Sequence, residues 1–407
     1  MMDADSKRSN DPFKVDCCFE GIPINRISFV DDLSQFTKCE DDTNERNVDN
    51  EVFEKKNRLK FKVPKCKVMS RIKEELNVLL DNELVEVVEN HIYLGTIISR
   101  NGERVEEMRE RLKKTNSVAN EIEQICKETE LSRIRLRYVK LLINACLDSK
   151  CKFGCALWNV AKTWKAIDDL NRIKPRLLKR VLEVPLSTPN IAVQYEFGIT
   201  DLSLDVLSEK IIMAVKTLQL DENRIARQLF ERMFEKEVKG FCSEVRETCQ
   251  VFGVSFPDLL EKENIREYMK EKTLEVQGRQ LLEMMLVSSK MDRILVSGFK
   301  FDGKSQVYLS ELDFREARAI FLARYRMLPV KMNFPGRWKG EECNICGFKD
   351  TDTHIFTCPG YVDLNPDGIC LQVFWDVKYL SDMIVLSHAA KTLIKLIDRM
   401  ERIQNLV

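Results

Sequence analysis

Two adjacent carboxylates, Asp31 and Asp32, lie within a short apolar stretch near the N-terminus. The stretch, residues 26–36, reads RISFVDDLSQF, which predicts two strands joined by a tight turn with both carboxylates at its tip. Carboxylate oxygens suit Mg²⁺, and two such ions can clamp the attacking and leaving oxygens of a phosphoryl transfer. The pair is therefore a candidate magnesium site. An ordinary hairpin with a solvated acidic turn is the alternative, because two other Asp-Asp pairs occur in the chain.

The sharpest local motif is a Cys/His set near the C-terminus, Cys343-x2-Cys346-x7-His354-x3-Cys358. Zinc prefers four sulfur or nitrogen ligands in a tetrahedron, and a CxxC pair on a turn supplies two of them. The other two ligands are four residues apart, so one helical turn places them on one face. The spacing predicts a structural Zn²⁺ site. A chance grouping of reduced cysteines is the alternative.

The order of several motifs resembles one protein family. The aromatic-x-Asp-Asp hairpin at residues 29–32 resembles the catalytic hairpin of reverse transcriptases, in particular those of non-LTR (LINE-type) retrotransposons. Residues 58–69 resemble the next palm motif, and residues 91–102 resemble the strand that leads into the thumb. The Cys/His set is similar to the zinc knuckle that closes many of these proteins. The resemblance extends from about residue 21 to residue 362.

The resemblance implies an RNA-directed DNA polymerase in which Asp31 and Asp32 hold Mg²⁺ and Lys65 lies near the leaving pyrophosphate. In the family, fingers and a first metal-binding aspartate precede this hairpin, whereas only about 20 residues precede it here. A two-metal site needs a third carboxylate, and we find no convincing candidate. We therefore expect the C-terminal portion of a polymerase, which binds nucleic acid but is catalytically incomplete.

Residues 40–73 change from acidic to basic. The acidic part, residues 40–51, predicts either the start of a helix between two palm strands or a solvated loop. In the basic part, the alternation of Leu59, Phe61 and Val63 predicts a short strand with lysines on its outer face. These lysines either contact phosphates or only face solvent.

Three helices are predicted after Gly95. Apolar residues at helical spacing indicate the first helix between Val105 and Cys126. The second is predicted from an N-cap at Ser132 to about Leu147, and the third covers residues 161–183. Pro175 should kink or split the third helix, because proline lacks the backbone donor and clashes with the preceding turn.

The third predicted helix is basic. The resemblance makes these helices a thumb, and cations on one face would neutralise phosphates without reading sequence. A helical bundle whose basic face is only solvated is the alternative. The candidate nucleic-acid contacts are Arg172, Lys174, Arg176, Lys179 and Arg180.

Composition limits the class of protein. The chain has 407 residues, 44% apolar and 32% charged, which is typical of globular proteins of two or three domains. No apolar run of about 18 residues occurs, so we expect no membrane span. Fourteen cysteines without a secretory signal predict reduced thiols in an intracellular compartment, either nucleus or cytoplasm. Net charge is zero, so any nucleic-acid site must be a local patch.

The expected fold is mostly α with a small α+β part. Further helices lie between the thumb and the knuckle, with a hairpin expected near residues 294–309 around an Asp-Gly turn. The predicted order is a disordered tail at 1–20, a partial palm at 21–100, a thumb-like helical domain at 101–200, a helical connector at 201–330, the zinc knuckle at 331–362 and a closing helical segment at 363–407.

Two functions follow from this organisation. The first is a fragment of a retrotransposon reverse transcriptase whose partners are an RNA template and a DNA primer or target DNA. The second is a non-catalytic protein with a zinc knuckle, derived from such an enzyme by domestication or as a pseudogene product. Both imply a structural Zn²⁺, and only a catalytic chain would also need Mg²⁺.

Overall fold

A computed structural model describes residues 18–19, 21–24, 26–30, 32–72, 75–128, 135–338 and 340–404. Within it the chain forms two compact units. The first comprises Met1–Glu107, Met213–Glu247 and Phe256–Leu260, and the second comprises Met108–Ile212, Thr248–Ser255 and Glu261–Val407. The tail expected at residues 1–20 lies outside the described residues except for Cys18 and Phe19.

The strands are short and pair two by two. Their bounds are β1 Cys18–Phe19, β2 Ile22–Pro23, β3 Arg26–Phe29, β4 Asp32–Gln35, β5 Lys67–Val68, β6 Leu79–Leu80, β7 Glu83–Leu84, β8 Glu86–Val87, β9 Asn90–Tyr93 and β10 Thr96–Ser99.

Helices make up most of the described chain, as the sequence predicted. The first nine are α1 Glu40–Asn57, α2 Val105–Glu128, α3 Arg135–Leu142, α4 Asp148–Cys151, α5 Val160–Asn171, α6 Ile173–Val181, α7 Asn190–Phe197, α8 Leu202–Leu218 and α9 Ile225–Glu235. The others are α10 Phe241–Phe252, α11 Phe256–Leu260, α12 Ile265–Leu286, α13 Asp292–Val296, α14 Tyr308–Glu311, α15 Phe314–Arg324, α16 His354–Thr357, α17 Val377–Leu380 and α18 Met383–Gln404. None of the described helices combines the length and the apolar character that a membrane span requires.

The first unit contains the hairpin predicted at residues 26–36 and a second hairpin in the segment 91–102, which was predicted as a strand. Strands β3 and β4 pair antiparallel, with Phe29 opposite Asp32. Strands β9 and β10 also pair, and Leu94 and Gly95 at their turn have φ angles of 47° and 78°. Two successive residues with positive φ match the type I′ turn that suits the twist of a hairpin.

Helix α1 settles the choice left open for residues 40–51 in favour of a helix. Its buried residues are polar: Asn47, Asn50 and Glu54. Asn47 Nδ2 donates to the Leu79 carbonyl at 2.8 Å, and the Leu79 amide donates to Asn44 Oδ1 at 2.8 Å. Side-chain amides therefore bind this helix to the edge of β6, in place of the apolar stripe that usually buries a helix.

The second unit holds a large apolar core. Helices α15 and α18 pack against each other, with Ala319 and Leu393 among the buried residues. A fully buried ion pair lies within this unit, where Arg324 Nε donates to Glu196 Oε1 at 2.8 Å. The Tyr325 hydroxyl donates to the same oxygen at 2.5 Å. Pairing with Arg324 and Tyr325 offsets part of the cost of burying the Glu196 charge.

The structure confirms the first predicted helix as α2, and it confirms the split in the third. Helix α5 ends at Asn171 and α6 begins at Ile173, which places Pro175 in the first turn of α6. Asn171 is four residues before Pro175, and its carbonyl is the one with which the ring of Pro175 would clash in a continuous helix. The predicted N-cap Ser132 lies outside the described residues.

Two strand predictions are wrong. Residues 59–63 form no strand, because Val63–Lys65 is a turn of 3₁₀ helix that buries Val63. The segment 294–309 has helices α13 and α14 at its ends and no strand. The backbone does bend at Gly303, where φ is 72°, but the Lys140 ammonium donates to the Gly303 carbonyl at 2.7 Å and to the Gly198 carbonyl at 3.2 Å. The carbonyls of Gly198 and Gly303 therefore accept hydrogen bonds from a lysine of helix α3.

Candidate metal centre

Four side chains converge in the second unit as the spacing predicted. The donor atoms of Cys343, Cys346, His354 and Cys358 all lie within 4.8 Å of one another. Cys343 Sγ is 3.9 Å and Cys346 Sγ is 3.7 Å from Cys358 Sγ, and His354 Nε2 is 3.1 Å from Cys346 Sγ. Zinc–sulfur bonds of about 2.3 Å at tetrahedral angles would place two sulfurs about 3.8 Å apart. The group, called here the Cys/His cluster, therefore fits one tetrahedral zinc ion.

A tight turn presents the first ligand pair. The Cys343 amide donates to the Phe348 carbonyl at 2.7 Å, and the Gly347 amide donates to the Cys343 carbonyl at 3.0 Å. Gly347 has φ of +74°, a conformation that side-chain-bearing residues rarely adopt. The glycine after the CxxC pair is thus what allows the chain to fold back and bring both thiols to one side.

A single helical turn presents the second pair. Helix α16 begins at His354, and the Cys358 amide donates to the His354 carbonyl at 2.8 Å. Thr351 Oγ1 accepts the His354 amide at 3.1 Å and so caps this turn. A Cβ atom on Gly360 would lie 2.5 Å from Ile345 Cγ2, so the two halves of the cluster approach closely.

Two buried aspartates between the ligand pairs bind the cluster to the rest of the unit. Arg293 Nη2 donates to Asp352 Oδ2 at 2.7 Å, and Asn333 Nδ2 donates to the other oxygen of the same carboxylate. The Lys331 amide donates to Asp350 Oδ2 at 2.9 Å. The sequence reasoning missed these residues, although Asp350 and Asp352 lie between the ligand pairs.

The thiols differ in acidity. Burial, reinforced by the neighbouring Cys346 and Cys343, raises the pKa of the Cys358 thiol to about 12. Burial acts in the same direction on Cys346, but hydrogen bonds from the Phe348 amide and with the Cys358 and Cys343 thiols together outweigh it and lower the pKa of the Cys346 thiol. Zinc binds thiolates, so metal binding must displace the Cys358 proton.

The ligand count determines what a bound metal could do. Three thiolates and one imidazole fill a tetrahedral coordination sphere and leave no position for water or substrate. Catalytic zinc sites keep one position open, whereas closed sites hold the fold together. The Cys/His cluster therefore has the donor set of a structural zinc site.

The predicted magnesium site, unlike the Cys/His cluster, shows no convergence of ligands among the described residues. Asp32 begins β4 and is exposed, while Asp31 lies outside the described residues. Val30 precedes it at φ of 57°, which is unusual for a β-branched residue. Lys65 is also exposed, and within the described ranges no hydrogen bond or ion pair joins it to Asp32. Apart from the Cys/His cluster, no group of three or more possible metal ligands is found in the part of the chain that the structure describes.

The basic helix face is smaller than predicted. Lys174 is 4% exposed and pairs with Asp148 at 2.7 Å, so it does not face solvent. Lys179 is 6% exposed, and its ammonium donates to the Leu186 carbonyl and to Asn190 Oδ1. These two lysines are corrected from surface contacts to buried side chains with protein partners.

The three arginines remain accessible to different degrees. Arg180 is partly buried and pairs with Glu123 at 2.6 Å. Arg172 is exposed and pairs with Asp168 on the preceding turn at 2.5 Å. Arg176 is exposed, and none of the described acidic side chains lies within ion-pairing distance of it.

The chain matches no family model, no curated protein and no solved structure.

Proposed function

We propose that this protein binds single-stranded nucleic acid through a zinc-stabilised knuckle, and that it descends from the reverse transcriptase of a LINE-type retrotransposon. The observation that carries the proposal is the Cys/His cluster, whose four donor atoms converge at zinc-like separations. The order of the motifs in the sequence supports the descent. The paired strands β3–β4 and β9–β10, followed by helix α2, are compatible with that order.

The surface beside the cluster suits unpaired bases. Phe348 is 68% exposed although its ring centroid lies 6.4 Å from that of His354, and Ile345 on the same turn is 41% exposed. Six residues before Cys343 in the sequence, Arg337 lies over the Trp338 ring at 4.7 Å and supplies a cation. Exposed aromatic faces on which bases stack, next to cations that meet phosphates, are the usual elements of single-strand binding.

Binding of a fluorescent single-stranded RNA or DNA oligonucleotide tests this proposal. Loss of base stacking should make Phe348→Ala bind at least about fivefold more weakly in fluorescence anisotropy. Ile384→Ala is the control, because Ile384 is 84% exposed on α18 and distant in sequence from the knuckle. Equal affinity of the Phe348→Ala variant and the parent would contradict the proposal.

The proposed activity is binding without polymerisation. Outside the Cys/His cluster, no three acidic or other metal-binding side chains come together among the described residues. We expect no primer extension on an RNA template in the presence of Mg²⁺. Extension that disappears on Asp31→Ala or Asp32→Ala would overturn this part of the proposal and restore the first of the two functions.

The proposed partners are RNA and single-stranded DNA, and the proposed compartment is reducing. Where side chains are described, the cysteines are unpaired thiols. Zinc coordination requires thiolates, so oxidation of the cluster would abolish the site.

A further inference from the structure

A groove of about 440 Å³ lies within the second unit between α2, the α5–α6 pair and the start of α7. Small-molecule sites typically have volumes of about 300 to 1,000 Å³, so the groove can hold a ligand of nucleotide size. Leu112, Ile173 and Leu186 form its apolar lining. This lining, with the charged residues described next, is called the basic groove.

The charged lining is mostly cationic. Arg172, Arg176 and Lys179 line the groove, against one carboxylate from Asp169. Arg172 and Arg176 are four residues apart on the same helical face, so both guanidinium groups can reach one ligand. Arg172 already pairs with Asp168, whereas Arg176 is exposed and has no acidic partner within the described residues.

Lys179 lines the groove and is held in place by two acceptors. Its ammonium donates to the Leu186 carbonyl at 3.1 Å and to Asn190 Oδ1 at 2.6 Å. An ammonium has three donors, so one remains for a ligand. The side chain is 6% exposed, and a fixed, desolvated cation binds an anion more strongly than a mobile one in water.

We propose that the basic groove binds a phosphate group carried by a molecule of nucleotide size. A guanidinium can bind two phosphate oxygens at once, and Arg176 lines the same groove as the fixed ammonium of Lys179. Leu112 and Leu186 then contact the less polar part of the ligand. The phosphate belongs either to a free nucleotide or to the end of a polynucleotide. The inference does not depend on the zinc knuckle.

Titration of the full-length protein with adenosine monophosphate, with adenosine and with inorganic phosphate tests the proposal by calorimetry. Adenosine monophosphate should bind at least about tenfold more tightly than adenosine, because only the former can use the charged hydrogen bonds. Arg176→Gln should weaken the binding of adenosine monophosphate by about tenfold. Arg232→Gln, an exposed arginine outside the groove, should leave the affinity unchanged.

A second variant separates charge from shape. Leu186 is 58% exposed, so Leu186→Asp should fold normally and place a carboxylate at the rim. It should weaken the binding of adenosine monophosphate more than that of adenosine, because both ligands lose the Leu186 contact but only the phosphate is repelled by the new carboxylate. The proposal is overturned by no binding of adenosine monophosphate at millimolar concentration, or by Arg176→Gln binding as tightly as the parent.

The source of the phosphate is decided by competition. A 5′-phosphorylated oligonucleotide that displaces adenosine monophosphate, when its 5′-hydroxyl counterpart does not, assigns the groove to strand ends. If neither oligonucleotide displaces adenosine monophosphate, the basic groove is assigned to free nucleotides. The variant Phe348→Ala should affect neither result, so failure of the knuckle proposal remains distinguishable from failure of this one.

Discussion

The hairpin of β3 and β4 and the Cys/His cluster were both predicted from a few residues, yet they differ in what surrounds them. In the hairpin the apolar side chains are largely exposed, with Ile27 at 48% and Phe29 at 59%. In the cluster Cys343 is 7% and Cys358 is 1% exposed. The four ligands of the cluster converge, whereas Asp32 is exposed at the start of β4.

The difference shows what turns a motif into a site. A turn with a glycine, a one-turn helix and two buried aspartates hold the cluster in place, and each of them interacts with the protein around it. Precise positioning of ligands depends on such supporting contacts. The hairpin has antiparallel backbone pairing, but among the described residues no side-chain hydrogen bond or ion pair positions Asp32. Substitutions in the two regions should therefore have very different effects.

The largest effect is expected from Asp352→Ala. This change leaves the Arg293 guanidinium buried without its carboxylate partner and also removes the hydrogen bond from Asn333. Breaking a buried pair by removing one partner costs about 3 to 5 kcal/mol in free energy of unfolding. Chemical denaturation measures it. As a control, Asp398→Ala breaks the exposed ion pair with Arg315 and should cost less than about 1 kcal/mol. Equal losses of stability in Asp352→Ala and Asp398→Ala would contradict the prediction.

An intermediate effect is expected from Gly347→Ala. The left-handed conformation costs a residue with a side chain about 1 to 2 kcal/mol, although nothing lies within 4 Å of the added Cβ. Gly336→Ala is a matched control, since Gly336 has φ of +85° and equally open surroundings. Both variants should lower the melting temperature, but only Gly347→Ala should weaken zinc binding in a competition with a chelator. Equal zinc affinity in the two variants would contradict the prediction, because it would mean that the conformation of the Gly347 turn does not affect metal binding.

The smallest effect is expected in the hairpin. Phe29→Ala should change the free energy of unfolding by no more than about 0.5 kcal/mol, because the ring is mostly exposed already. Phe356→Ala, at a buried ring packed against Phe374, should cost about 3 kcal/mol or more. A large loss of stability in Phe29→Ala would mean that the hairpin is as strongly supported as the cluster.

Local rules predicted those features that local physics controls. The apolar spacing from Val105 to Cys126 gave helix α2, and the steric effect of Pro175 on Asn171 gave the break between α5 and α6. The zinc ligands were found for the same reason, because a turn and one helical turn determine how each pair of donors is placed. These interactions all lie within a few residues in sequence.

The remaining features depend on residues distant in sequence. Lys174 follows the pattern of a basic face, but Asp148 and Asp205 lie opposite it and hold it in the interior. The Asp-Gly turn near residue 302 does not start a hairpin, because Lys140 binds its carbonyl from another helix. Helix spacing and turn chemistry carry no information about such partners.

The most direct test of the central claim is the zinc content of the purified protein. Elemental analysis should give one zinc per chain, and Cys346→Ser should lose it. Cys358→Ser is a weaker test, because the exposed Cys370 is close enough in sequence to replace that ligand. Removal of zinc by a chelator should make Cys343, Cys346 and Cys358 reactive toward a thiol reagent. Protein without zinc, or zinc content unchanged in Cys346→Ser, would contradict the account.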